Sequence, residues 1–178
     1  ANVPLTVQGW QMLSFNCIGN MSNSFQVLET VSTWGLDDKI LTRDPFLKFA
    51  VFTGKKFVGG LINHDQLSMS LGYKIYYSGA PGAVLEQTGL PQLPVQHVTL
   101  NEGWNWIGHA PLHIFLLNEI APVAGNFSAD DQVKTRAGSN LKYSTFTGGD
   151  WAGDLVQLTP GLGYQFKVQA QITFSYGG

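Results

Sequence analysis

The chain has 178 residues, of which 44% are hydrophobic and 12% aromatic, a composition that can build a packed core and excludes a disordered protein. Only 12% of the residues are charged, against about 25% in an ordinary soluble domain, and the formal net charge is −2. Since no run of Lys and Arg occurs and no apolar stretch reaches the ~18 residues of a membrane helix, we expect neither nucleic acid nor a membrane as a partner, but a surface poorly protected against association.

Residues 1–78 are predicted to contain short strands and one short helix. Val3, Leu5 and Val7 alternate with other residues as in a half-buried strand. A second strand is predicted from Gly9-Trp10, and residues 24–31 are the first helix candidate. The remainder reads as strands separated by Gly-rich turns.

Residues 79–97 are rich in glycine and proline, which favour turns over regular elements. The residues concerned are Gly79, Pro81, Gly82, Gly89, Pro91 and Pro94. We therefore expect a linker here, crossing between a first β-rich repeat at 1–78 and a second at 98–178.

The second repeat carries the motifs of the first in the same order. Gly9-Trp10 recurs as Gly103-Trp104, Asp37-Asp38 as Asp130-Asp131, Thr42-Arg43 as Thr135-Arg136, Phe52-Thr53-Gly54 as Phe146-Thr147-Gly148, and Leu71-Gly72-Tyr73 as Leu162-Gly163-Tyr164. The first copy is slightly longer, and we place its extra residues within 63–66. Because this many colinear matches do not arise by chance, we predict an internal duplication.

Two further segments complete the predicted elements. Residues 111–120 are the second helix candidate, with Pro111 suited to the first helical position. Residues 169–176 alternate polar and apolar, which predicts a C-terminal strand. Because a module of about 80 residues has little core of its own, we predict a mainly β fold: two homologous, sandwich-like antiparallel repeats with one short helix each, packed about a pseudo-twofold axis.

The most specific charged pattern is Asp-Asp followed by Thr-Arg, present in both repeats. Twin carboxylates can serve acid–base catalysis or bind calcium. Their presence in both copies favours a structural ion pair between the second Asp and the Arg, or a turn cap, since Asp also bonds its own backbone. The predicted structural residues common to both repeats are Trp10, Asp38, Arg43, Tyr73, Trp104, Asp131, Arg136 and Tyr164.

No catalytic centre, metal site or cofactor is predicted. Cys17 lies in an apolar stretch, which is typical of a buried, inert thiol, and as the single cysteine it excludes an internal disulfide. No nucleophile-elbow, phosphate-loop or dinucleotide motif occurs. His109 and His113 have the spacing for a shared metal on a helix, but Pro111 separates them and no acidic third ligand follows at a familiar spacing.

The tryptophans leave a carbohydrate-binding function open. Aromatic rings suit sugar rings, but they also bury large apolar areas in protein cores. Trp10 and Trp104 occupy equivalent positions and are expected in the core, whereas Trp34 and Trp106 are unmatched and freer to be exposed. An extracellular adhesion or carbohydrate-binding protein is therefore the alternative function.

Motifs of the second repeat resemble those of a known family. They are Gly-Trp-Asn-Trp-Ile-Gly at 103–108, Asp-Asp-Gln-Val-Lys-Thr at 130–135, Trp-Ala-Gly-Asp-Leu at 151–155 and Leu-Thr-Pro-Gly-Leu-Gly-Tyr at 158–164. They look like a β-rich repeat of microalgal and some bacterial surface proteins, and the duplicated chain is most similar to the diatom pyrenoid shell (PyShell) proteins. The resemblance spans nearly the whole chain, although the first repeat departs from it at residues 12–14 and 68–70. It implies a non-enzymatic subunit of a protein sheet around the Rubisco condensate of the chloroplast.

The residues also favour assembly independently of the resemblance. Low charge removes the usual repulsion between copies, and Ile172, Phe174 and Tyr176 of the C-terminal strand are candidate contacts with a neighbouring molecule. We expect a structural protein that assembles with itself into a sheet or tube at the pyrenoid periphery in the stroma, close to Rubisco, with an extracellular location as the alternative. Deleting residues 169–178 is expected to leave a folded monomer that does not assemble.

Overall fold

The structure, a computed structural model, describes residues 2–18, 24–64, 67–91, 95–124 and 127–177. The protein is mainly β with antiparallel strands, as predicted, and no helix in these residues is long and apolar enough to span a membrane. The first half contains β1 (Asn2–Leu5), β2 (Gly9–Leu13), β3 (Cys17–Ile18), a 3-10 helix (Ser24–Thr30), β4 (Lys39–Asp44), β5 (Phe46–Phe52), β6 (Phe57–Val58), α1 (Gly60–His64), β7 (Tyr73–Tyr77), β8 (Ala83–Glu86) and β9 (Leu90–Pro91). The second half contains β10 (Val95–Leu100), β11 (Gly103–Gly108), β12 (Phe115–Leu116), α2 (Leu117–Ala124), β13 (Gln132–Ala137), β14 (Asn140–Phe146), β15 (Trp151–Gly153), β16 (Gln157–Leu158), β17 (Gly163–Val168) and β18 (Ile172–Gly177).

Each half contributes five antiparallel strands to the central sheet. Their order is β2–β7–β4–β5–β6 in the first half and β11–β17–β13–β14–β15 in the second. The two sets join where Ala137 of β13 pairs with Gln11 of β2, which makes one sheet of 10 strands. The common strand order agrees with the repeated motifs of the sequence.

A two-stranded ribbon packs on one side of the sheet in each half. β1 pairs with β8 in the first half, and β10 pairs with β18 in the second. Alternation of apolar residues along these strands places one row of side chains against the sheet. Buried side chains of ribbon, helix and sheet form one core per half, for example Leu5, Leu28 and Ile75 in the first and Phe166 and Phe174 in the second. The arrangement is sandwich-like, with the ribbon and helices as the second layer.

The two halves meet at a junction whose backbone contacts come in equivalent pairs. The pairs are the bridges Leu13–Leu162 and Leu71–Ile107, and the hydrogen bonds from the Ser14 N–H to the Gly161 carbonyl and from the Gly108 N–H to the Ser70 carbonyl, both 2.9 Å long. Exchanging the halves converts one member of each pair into the other. The contacts therefore lie about an approximate twofold axis at the junction.

The helices differ from the prediction of one short helix in each half. The first half has both the 3-10 helix and α1, which includes Asn63 and His64 of the predicted insertion, while residues 65 and 66 of that insertion lie outside the described residues. The second helix begins at Leu117 rather than at Pro111. The side chain of Glu119 accepts a hydrogen bond from the Leu116 N–H at 3.2 Å, which caps the helix there.

The segment predicted as an irregular linker, residues 79–97, contains regular strands. β8 pairs with β1, β9 pairs with β3, and β10 begins at Val95, while residues 92–94 lie outside the described residues. The glycines and prolines do punctuate this segment. The short stretches between them are nevertheless extended because strands distant in sequence pair with them, which local composition does not reveal.

Candidate functional site

Asp38 and Asp131 cap buried turns in equivalent positions. They are 0% and 1% exposed. The carboxylate of Asp38 accepts a hydrogen bond from the N–H of Gly35 at 2.8 Å and another from the N–H of Ser78 at 2.9 Å. The equivalent donors to Asp131 are the N–H groups of Ser128 and Gln169, each at 2.9 Å. Each carboxylate thus ties the turn before one strand of the sheet to the end of its neighbour.

The turn cap, and not the ion pair with arginine, is the arrangement observed. Nε of Arg43 donates to the carbonyl of Pro45 at 3.4 Å, and Nε of Arg136 donates to the carbonyl of Gly138 at 2.7 Å. Both arginines are exposed, so their predicted place in a structural core is wrong. The reason is strand alternation: Arg43 lies on the same side of β4 as Lys39, away from the core.

Tyr73 and Tyr164 lie fully buried in the two cores. The hydroxyl of Tyr73 accepts the N–H of Ser68 at 2.8 Å, and that of Tyr164 accepts the N–H of Thr159 at 2.6 Å. Burial raises the pKa of Tyr164 to about 12. Both tyrosines are structural, as predicted.

The tryptophans are placed differently from the prediction. Trp34 and Trp151 are buried in the cores of the first and second halves. Trp10 and Trp104, expected in the core, are only half-buried and belong to neither core cluster. Strand alternation again gives the reason, because both side chains point to the side of the sheet opposite the ribbons.

That side of the sheet, here called the outer face, is rich in cations and aromatic rings. Its side chains are half-buried or exposed, apart from Met12. The strand registers assign to it Trp10, Met12, Lys39, Leu41, Arg43, Leu47, Phe49, Val51, Val58, Lys74, Tyr76, Trp104, Trp106, Gln132, Lys134, Arg136, Leu141, Tyr143, Thr145, Ala152, Gln165 and Lys167. None of these described strand positions carries a carboxylate.

Two lysines of the outer face lie over tryptophan rings. Nζ of Lys74 is 4.6 Å from the ring centre of Trp10, and Nζ of Lys134 is 3.9 Å from that of Trp104. Such cation–π contacts hold the ammonium groups in place. Burial and the nearby charges of Arg136 and Lys134 lower the pKa of Lys74, and burial lowers the pKa of Lys134.

The two ends of the sheet carry exposed apolar residues. In β5, Phe46 is 76%, Leu47 57% and Phe49 52% exposed. Leu141 and Tyr143 of the equivalent strand β14 are also exposed. The outermost strands β6 and β15 are short and pair only with the last residues of β5 and β14, so much of each penultimate strand is not covered by them.

The two sheet ends differ in one side chain. The carboxylate of Asp154 accepts the N–H of Tyr143 at 2.8 Å, and the carbonyl of Tyr143 accepts the N–H of Asp154 at 3.1 Å. Asp154 therefore occupies the outward hydrogen-bonding groups of β14 at this position. The equivalent residue in the first half is Gly60, which has no side chain to do so.

A cleft of about 350 Å³ lies beside β11, where the second half meets the end of β4. Its lining includes Arg43 and Asp44 from the first half and His97, Trp104 and Trp106 from the second. At the equivalent place on the other side of the junction, the Gly138 N–H donates to the Trp10 carbonyl at 2.7 Å. The aromatic and polar lining could hold a small polar ligand.

The C-terminal strand does not offer its apolar side chains to a neighbour. Ile172, Phe174 and Tyr176 are buried in the core of the second half, and β18 pairs along its whole length with β10. Their predicted role as assembly contacts is therefore wrong. The alternating pattern reports burial of one face, and burial within the chain gives the same pattern as burial between chains.

The remaining chemical candidates lie in the protein interior. The thiol of Cys17 is buried and donates to the carbonyl of Gln87 at 3.4 Å. Nε2 of His109 donates to the carbonyl of His113 at 2.7 Å, and burial lowers the pKa of His109. Within the described residues, no group of three or more His, Cys, Asp or Glu side chains is placed to hold a metal ion.

Comparison with protein-family models, with curated proteins and with solved structures gives no match.

Sequence reasoning missed the outer face. No run of basic residues signals it, because its cations come from four strands, β4, β7, β13 and β17, that are distant in sequence. The available signal was alternation: Lys39, Leu41 and Arg43 share one side of β4, and the side chains between them are buried.

Proposed function

We propose that this protein is a non-enzymatic structural subunit that assembles with copies of itself into a sheet or a tube. The observation that carries the proposal is the pair of exposed apolar strand ends, β5 and β14, at opposite ends of one sheet. Exposed edge strands pair readily with further strands. The common strand order of the two halves further supports the predicted duplication, which supplies one chain with two similar surfaces.

In this proposal, β5 of one copy contacts the end of the sheet of the next copy. β5 is the more available of the two, because Gly60 stands where Asp154 occupies the outward groups of β14. A contact between different surfaces that does not close into a ring produces an open array. The resemblance to pyrenoid shell proteins extends the proposal to a shell around the Rubisco-containing pyrenoid of the chloroplast.

The test is negative-stain electron microscopy of Phe46→Lys/Leu47→Lys across protein concentration and salt. We expect ordered sheets or tubes from the unmodified protein and dispersed particles from this variant, because lysine on an edge strand opposes strand pairing. Both side chains are more than half exposed, so the variant should fold normally.

The matched control is Leu112→Lys/Val156→Lys, which adds the same charge at exposed apolar residues away from β5. The control should still assemble. Monodisperse particles from the unmodified protein at every concentration would overturn self-assembly. Arrays from Phe46→Lys/Leu47→Lys would remove β5 from the contact.

Carbohydrate binding is the second candidate, favoured by the cleft beside β11. Trp104 and Trp106 supply aromatic surface there, and Asn105, Arg43 and Asp44 supply hydrogen-bonding groups. A glycan array with the unmodified protein and with Trp106→Ala tests it. Binding that disappears in the variant supports a sugar in this cleft, and absence of binding overturns it.

A further inference from the structure

The outer face concentrates the positive charge of the molecule. Of the chain's 10 Lys and Arg residues, six lie on it: Lys39, Arg43, Lys74, Lys134, Arg136 and Lys167. None of the 12 Asp and Glu residues occupies a described strand position of this face. Since the net charge is −2, the rest of the chain is strongly acidic, and the outer face is a local cationic surface.

Three of these cations surround the centre of the sheet. Met12 pairs with Lys74 on one side, and the Gln11–Ala137 pair puts Arg136 next to Met12 on the other. Strands lie about 4.8 Å apart, so the Cα atoms of Lys74 and Arg136 are about 10 Å apart, and Lys134 follows about 7 Å along β13. The lowered pKa of Lys74, caused first by burial and then by Arg136 and Lys134, agrees with this proximity.

Amide side chains alternate with the cations beside this centre. Lys134 pairs with Gln165, and Gln132 pairs with Lys167, so two cations and two amides form a block of four on adjacent strands. An amide both donates to and accepts from a hydroxyl group, whereas an ammonium group binds a sulfate or carboxylate. A ligand that carries hydroxyl and anionic groups together fits this block.

The contacts of the tryptophans disfavour a nucleic acid. Sheet surfaces that bind single strands stack bases on open aromatic faces. Here Lys74 lies over Trp10 and Lys134 lies over Trp104, so stacking would first have to displace both ammonium groups. Anionic groups of a sugar chain can instead bind the ammonium groups where they are.

We propose that the centre of the outer face binds an anionic polysaccharide, a sugar chain that carries sulfate or carboxylate groups. Lys74, Lys134 and Arg136 bind the anionic groups, and Gln132 and Gln165 bind hydroxyls. The proposal goes beyond self-assembly and does not depend on it. It rests on the second candidate function only in that the ligand is a carbohydrate.

The test is calorimetric titration of the dispersed protein with heparin as a sulfated probe and polygalacturonate as a carboxylated probe. In Lys74→Gln/Lys134→Gln/Arg136→Gln, we expect Kd for the bound probe to rise about 10-fold or more, because three charges of roughly 0.5 kcal/mol each are lost. Binding to the unmodified protein should weaken as salt is added.

The matched control, Lys55→Gln/Lys56→Gln/Lys142→Gln, removes three charges that lie off the outer face. Its Kd should change by less than about 2-fold, as expected for charges away from the site. An equal loss in both triple variants would overturn the site, as would absence of binding to both probes at low salt. Tighter binding of a single-stranded thymidine oligonucleotide would overturn the polysaccharide as the ligand class.

The outcomes also separate this proposal from the second candidate function. Neutral glycans that bind the unmodified protein and are lost only in Trp106→Ala, with no binding of either anionic probe, would support the cleft and overturn the anionic site. Heparin or polygalacturonate binding that is retained in Trp106→Ala and lost in the Lys74, Lys134 and Arg136 variant supports the anionic site.

Discussion

Asp38 and Asp131 show at the scale of single residues why the Asp-Asp motif occurs in both halves. The second Asp accepts two backbone N–H groups in the interior. The first Asp, at 37 or 130, takes a left-handed backbone conformation with φ of 68° or 72°. Asp tolerates this conformation better than most residues. The motif is therefore a turn in which each carboxylate has a different structural task.

We predict that Asp38→Asn lowers the free energy of unfolding by about 1–3 kcal/mol. The amide nitrogen that replaces one carboxylate oxygen cannot accept a hydrogen bond, so one buried N–H loses its acceptor. Urea unfolding followed by circular dichroism measures the change. Asp37→Gly is the control and should cost less than about 0.5 kcal/mol, because glycine adopts positive φ without strain. Equal stability of Asp38→Asn and the unmodified protein would contradict the turn cap.

At the scale of elements, β18 belongs to the core of the second half. Its apolar side chains face α2 and the sheet, and its backbone pairs with β10 through six registered residues, from Val95↔Gly177 to Leu100↔Ile172. Deleting residues 169–178 would remove one wall of this core and also the Gln169 donor to Asp131. The expectation of a folded monomer after that deletion is replaced by loss of fixed packing in the second half.

A point variant tests this role without removing the strand. Phe174→Ala should lower the free energy of unfolding by about 3–5 kcal/mol, because it leaves a cavity in a packed core. Thr173→Ala, at an exposed position of the same strand, should cost less than about 1 kcal/mol. The measurement is thermal unfolding by near-ultraviolet circular dichroism. Similar losses in both variants would place Phe174 outside the core.

At the scale of the whole molecule, two equivalent glycines allow the halves to approach. A Cβ atom on Gly72 would lie 2.6 Å from the carbonyl oxygen of Ile107, and one on Gly163 would overlap the carbonyl oxygen of Leu13. Backbone atoms of the other half cannot move aside as a flexible side chain could. Glycine is therefore required here by the close contact between halves.

We predict that Gly163→Ala lowers the free energy of unfolding by about 1–3 kcal/mol or more, through overpacking at the junction. Urea titration followed by tryptophan fluorescence measures this, and it also shows whether the halves still unfold together. Gly149→Ala is the control, because a Cβ atom there meets nothing within 4 Å. If the control is destabilised as much as Gly163→Ala, the loss does not come from the junction.

The sequence by itself determined the β class, the repeated motifs and the turn chemistry of the Asp-Asp pairs, because alternation and turn propensity act over a few residues. The burial of Tyr73 and Tyr164 also followed from their equivalent positions. Tertiary structure alone decided that Trp10 and Trp104 face outward, that residues 79–97 contain strands, and that β18 is covered by its own chain. It also brought Lys74, Lys134 and Arg136 together. The physical reason is that register and pairing between distant strands decide which face a residue occupies and what covers it.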